Sequence, residues 1–96
     1  MRTMIRIKMP VEAGNRAIKD GTMPKTIMEA LEQLKPEAAY FLSEQGIRTA
    51  LMVVDLKDPS EIPAIAEPFF SKLNASVEFL PVMNAEELKK GLAKLT

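Results

Sequence analysis

Neither cysteine nor histidine occurs anywhere in the 96 residues. Without cysteine there is no disulfide stapling and no thiol chemistry, and without both there is no zinc or haem site built on Cys or His ligands. Ser43, Ser60, Ser71 and Ser76 have no imidazole to activate them in a His-based triad. An excess of either charge is missing too. Thirteen basic and thirteen acidic side chains cancel, and no Lys/Arg block supplies an electrostatic footprint for nucleic acid or anionic lipid. No apolar run approaches the roughly 20 residues needed to span a bilayer. The amino-terminal MRTMIRIKMP breaks its apolar residues with Arg and Lys, unlike the uncharged core of a signal peptide. The expectation is a cytoplasmic protein that takes no cofactor and binds neither nucleic acid nor membrane.

What is present is an ordinary globular balance, 47% apolar and 27% charged. A chain of this length, residues 1–96, reads as one domain that buries about 60 to 65% of its unfolded surface, with little stability to spare. Self-association is one way to add more.

Residues 3–9 alternate as a strand, with Ile5, Ile7 and Met9 on one face and Met4, Arg6 and Lys8 on the other. Pro10 ends it. Residues 12–20 suit a short helix, and after Asp20-Gly21 a second helix capped by Thr22 begins near Pro24, with Ile27, Ala30, Leu31 and Leu34 forming its apolar stripe. Pro36 stops that helix, because the residue before a proline is pushed out of the α region. The following PEAAYFLSEQGIRTALMVVDLKD therefore reads as a β-hairpin, rich in aromatic and β-branched residues around a Glu44-Gln45-Gly46 loop. A three-residue loop sets Ser43 opposite Ile47 and pairs Phe41 with Thr49, Ala39 with Leu51, Tyr40 with Ala50 and Leu42 with Arg48.

Asp58-Pro59-Ser60-Glu61 is a capping box that opens a helix carrying Ile62, Ile65, Ala66, Phe69, Phe70 and Leu73, with an expected kink at Pro68 and a stop at Asn74. Residues 76–83 alternate as a last strand, and Pro81 places it at a sheet edge. Asn84-Ala85-Glu86-Glu87 is a second capping box, before a terminal helix with Leu88, Leu92 and Leu95 on one side.

The order is that of an α+β, ferredoxin-like βαββαβ fold with a C-terminal helix: a four-stranded antiparallel sheet with the first and third strands central. Two helices are expected over Ile5, Ile7, Phe41, Leu51, Val53, Val77 and Phe79. The other face is expected to hold Met4, Leu42, Ala50, Met52, Val54, Leu80 and Val82. Leaving these wet forgoes roughly 1.5 to 3 kcal/mol for each large side chain, and an apolar face of that size marks a partner. A homodimer through the sheet face meets the need, and a C-terminal helix folded back over the face is the alternative within one chain.

The element order, the two-faced sheet and the ending PFFSKLNASVEFLPVMN resemble the dimeric α+β barrel superfamily, which includes muconolactone isomerase, small cofactor-free monooxygenases and many uncharacterised bacterial proteins. The resemblance implies sheet-on-sheet dimers. Its haem-binding members use a histidine, which is absent. Other ferredoxin-like families fit worse: acylphosphatases need a Gly-rich anion loop, metallochaperones a Cys-x-x-Cys, and RNA-recognition domains sheet aromatics where the third strand offers Ala50 and Met52.

Among the apolar residues of the second face the same reading sets Arg6, Lys8, Tyr40, Arg48 and Glu78. As a ligand-binding set, Arg6, Lys8 and Arg48 anchor a small anionic, carboxylate-bearing or aromatic molecule, and Tyr40 and Glu78 are the candidate proton-transfer groups. As a structural set, Arg6 pairs with Glu78, Tyr40 packs on a partner, and Arg48 and Lys8 snorkel to water. Two functions follow: a homodimeric small-molecule-binding or structural and regulatory module, or a cofactor-independent isomerase or monooxygenase. A pocket between sheet and helices, near Phe69 and Phe70, is a second location for a ligand. The scattered methionines serve as core filler, and no metal site is expected.

Overall fold

The structure, a computed structural model, describes residues 1–95. Strand β1 (Arg2–Met9) buries Thr3, Ile5, Ile7 and Met9 and turns Arg2, Met4, Arg6 and Lys8 the other way. Helices α1 (Val11–Lys19) and α2 (Thr22–Leu34) follow, and Asp20 Oδ1 accepts from the Thr22 N–H at 2.9 Å at the joint between them. Lys35, in the left-handed region at φ 44°, closes α2 just ahead of Pro36. The hairpin is β2 (Ala38–Glu44) and β3 (Ile47–Asp55).

The Asp58–Glu61 box forms as expected. Asp58 Oδ1 accepts from the Ser60 N–H at 2.8 Å, and Glu61 Oε1 accepts from the Asp58 N–H at 2.9 Å. A 3₁₀ turn (Pro59–Glu61) then runs into α3 (Ile62–Leu73), which carries Pro68 inside it and ends at Asn74 with φ 52°. Strand β4 (Ser76–Pro81) is two residues shorter than expected, and the Asn84–Glu87 box opens α4 (Ala85–Leu92), with a 3₁₀ turn at Ala93–Leu95.

The four strands form one antiparallel sheet in the order β2-β3-β1-β4, so Pro81 lies on an edge strand where a missing N–H is tolerated. The two crossovers cover one face with three helices, because Asp20-Gly21 divides the first into α1 and α2 as expected. Between them and the sheet lies the core, centred on Ile5, Ile7, Met52, Phe69 and Leu73. Each large side chain there contributes about 1.5 to 3 kcal/mol by leaving water. The domain is α+β with ferredoxin-like element order.

The hairpin corrects the expected faces. Glu44 pairs with Ile47, leaving only Gln45 and Gly46 in the loop, with φ 54° and 78°. Both central residues are left-handed, as a type I′ turn demands. The true partners are Ser43–Arg48, Leu42–Thr49, Phe41–Ala50, Tyr40–Leu51 and Ala39–Met52. One residue fewer in the loop turns β3 over relative to the expected register. Ala50, Met52 and Val54 are thus buried under the helices, and Leu51 and Val53 belong to the opposite, open face. The sides expected for β1, β2 and β4 hold.

Helix α4 does not fold back over that open face. Every one of its residues is exposed, and the molecule measures 54 × 28 × 17 Å.

Candidate functional site

The open face is built from rows that run across the strands. Tyr40, Leu51, Arg6 and Glu78 stand in one row; Ala38, Val53, Met4 and Leu80 in the next; Leu42, Thr49, Lys8 and Ser76 on the other side. Met4, Leu51, Val53 and Leu80 are only half-buried, while Tyr40 is 67% exposed. Met4, Leu51, Val53 and Leu80 thus form an apolar patch, and Arg6, in register with Leu51 on the central strand β1, borders it.

Its charges are paired within the chain. Arg6 Nη1 lies 3.6 Å from Glu78 Oε1. Lys8 Nζ lies 2.9 Å from Glu44 Oε1, a reach that carries its stem across β3. That stem explains why Thr49 is only 2% exposed although it belongs to the open side. Its hydroxyl donates to the Ile47 carbonyl at 2.9 Å. The Lys8 hydrogen bond also holds the Glu44 carboxyl below its ordinary value.

At the far end, Arg2 bridges two distant segments. Its Nε donates to Glu37 Oε1 at 2.6 Å and its Nη1 to Glu87 Oε1 on α4. These carboxylates, Glu37 first, push the Arg2 guanidinium further up. Glu87 is lowered, chiefly by the Asn84 N–H it accepts and then by Arg2. Beside this cluster, Asp55 accepts from the N-terminal ammonium at 2.9 Å and from Lys57 at 2.6 Å. Lys57 first and then the ammonium pull its carboxyl down to about 2. An apolar patch bordered by paired charges is the anatomy of an association surface.

Of the residues expected on this face, the structure brings Arg6, Lys8, Tyr40 and Glu78 there and removes Arg48. Arg48 pairs with Met9 on the helix side, and its Nη2 donates to Asn15 Oδ1 on α1 at 3.1 Å. Tyr40 and Glu78 sit on opposite edge strands, three strand spacings or roughly 14 Å apart at their Cα atoms. Within one chain they form no proton-transfer pair. Arg6 keeps one buried N–H, at Nε, without a hydrogen-bond partner. Leu51, Val53 and the Arg2–Glu37–Glu87 bridge were not anticipated. A two-residue loop would have revealed the first two; the bridge joins segments too far apart in the chain to leave a local signal.

Two clefts lie away from the Met4, Leu51, Val53 and Leu80 patch. One of about 280 Å³ separates α2 from α3, lined by Thr26, Ala30, Leu34, Ile65, Phe69 and Lys72 among others. Phe69 thus borders the cleft on the helix side, whereas Phe70 is not among its lining residues. A second, of about 340 Å³, opens beside Lys8, Pro10 and Ile47. Neither is lined by Arg6, Tyr40, Arg48 or Glu78. Among the described residues no cluster of three or more Asp or Glu is placed to hold a metal ion, and no helix is long and apolar enough to cross a membrane.

Fold and face together define a ferredoxin-like α+β domain with one helix-covered and one uncovered sheet surface. No family model, curated protein or solved structure matches this chain.

Proposed function

We propose that this chain is a homodimeric binding or regulatory module whose two copies stack open face on open face, as the resemblance to the dimeric α+β barrel superfamily implies. The observation that carries the reading is the half-buried apolar patch of Met4, Leu51, Val53 and Leu80 bordered by ion pairs. Stacking covers surface that the three helices cannot reach, and the pre-formed pairs enter the interface without an unpaired charge. Arg6, Tyr40 and Glu78 then act in recognition between copies. The isomerase or monooxygenase alternative requires these groups to converge on a substrate, and one protomer holds Tyr40 and Glu78 at opposite edges.

Static light scattering tests it. The native chain at about 50 µM is expected to show twice its 10.7 kDa mass. Leu51→Lys is expected to return a folded monomer, because it places a cation in the apolar patch at a cost of several kcal/mol when buried unpaired. A monomeric native chain at that concentration overturns the reading.

A further inference from the structure

Helix α4 (Ala85–Leu92) and the 3₁₀ turn after it leave an apolar stripe exposed. Leu88, Leu92 and Leu95 follow at four and three residue spacing, a single apolar stripe, and they are 45%, 52% and 78% exposed. Met83, just before the helix, is exposed as well. An isolated helix of this length is not stable in water, because the nucleation penalty is recovered only over about 12 to 15 residues. Its Asn84–Glu87 cap and the Lys89–Glu86 pair at 3.7 Å add only tenths to about one kcal/mol. The stripe therefore needs a surface, and the described residues leave it exposed.

Position says which surface. Arg2 shares the side of β1 that faces outward with Met4 and Arg6, and its bond to Glu87 fixes the first turn of α4 at the rim of the open face. The helix that carries the leucine stripe therefore starts at that rim. Size points the same way. Four strands spaced about 4.8 Å apart and about seven residues long give a face of roughly 450 Å², short of the ~800 Å² per partner of a standard interface. Helix α4 together with the 3₁₀ turn after it, about 16 Å long and 10 Å wide, adds roughly 160 Å² more, and side-chain relief raises both.

We infer that α4 is an arm that clasps a second copy of this chain: in the stacked dimer each protomer's Leu88, Leu92 and Leu95 pack on its partner and not on itself. Two-fold symmetry buries both arms at once. The inference rests on the stacked dimer proposed above and adds to it the destination of the terminal helix.

The test uses the full chain, grown separately with ¹⁴N and ¹⁵N, mixed, dissociated and reassociated, then treated with a lysine cross-linker. About half of the links from Lys89, Lys90 or Lys94 are expected to join chains of different isotope, the share that random pairing of protomers gives. Leu88→Glu/Leu92→Glu is expected to keep the native near-ultraviolet spectrum and to weaken dimerisation at least 30-fold. Exclusively same-isotope links from these lysines overturn the arm, since α4 then covers its own chain. Unchanged dimer affinity in the double variant overturns it too, while leaving the stacked sheets standing. A native chain that stays monomeric removes both proposals.

Discussion

The guanidinium of Arg48 occupies the space above Gly14: a Cβ on Gly14 would fall 2.7 Å from Arg48 Nη1 and 3.3 Å from Cε of Met23. This contact holds Arg48 against α1 beside Asn15, on the side of the sheet opposite Arg6. Glycine inside a helix costs about 1 kcal/mol relative to alanine, so its presence in α1 is explained by this close approach. Gly14→Ala is expected to release the Arg48–Asn15 bond and leave stability within about 0.5 kcal/mol of the native chain, the helix gain offsetting the displaced packing. In an Arg48→Ala background the same change should stabilise by about 0.5 to 1 kcal/mol. Urea denaturation of the four chains measures it; equal effects in both backgrounds would show that the two residues do not interact.

The β2–β3 turn invites two substitutions of opposite sign. Gln45 at φ 54° occupies a position that asparagine tolerates better, and Gly46 at φ 78° one that disfavours any side chain. Gln45→Asn should stabilise by about 0.5 kcal/mol and Gly46→Ala should destabilise by about 1 to 2 kcal/mol. Thermal melts decide. A stabilising Gly46→Ala is incompatible with the two-residue turn.

Acid should weaken the end of the sheet where Asp55 sits. Its carboxyl is held at about 2 in the folded chain against an ordinary 3.8, by Lys57 first and then by the N-terminal ammonium. A depressed folded value means that the contribution is fully present above the unfolded value and is lost as pH falls through the folded one. The window is therefore from about 4 down to about 2. A carbon-detected NMR titration should place the Asp55 midpoint near 2, and Asp55→Asn should flatten that part of the stability profile. High salt should shrink the effect, since the group is exposed. A midpoint near 3.8 would mean that neither cation engages it.

Much of this fold is legible in sequence because its punctuation is local. Pro36, the Asp58–Glu61 and Asn84–Glu87 boxes, and Asn74 mark boundaries within a turn of the residues they govern, and each does so in the structure. Strands β1, β2 and β4 reveal their faces by alternation. Strand β3 does not: Ala50, Leu51, Met52, Val53 and Val54 are apolar without a break, so their sides depend entirely on the length of the turn. Gln45 in the left-handed region is an uncommon choice for a non-glycine residue, and with Glu44 counted in the loop every residue of β3 shifts by one. Arg48 went with them. The side-chain set expected on the open face thus shared the fate of a single backbone angle, while Arg6, Lys8, Tyr40 and Glu78, on the other strands, kept their side.

The projecting terminal helix also changes how the molecule moves. With a longest dimension of 54 Å and a shortest of 17 Å, a radius of gyration of 15.1 Å exceeds the roughly 12 to 13 Å of a compact chain of this length. Hydrodynamic drag grows with that elongation, so one copy migrates through a gel-filtration matrix ahead of a sphere of equal weight. Retention volume alone would count the protruding helix as mass, and stoichiometry has to come from measurements that weigh the particle instead of sizing it.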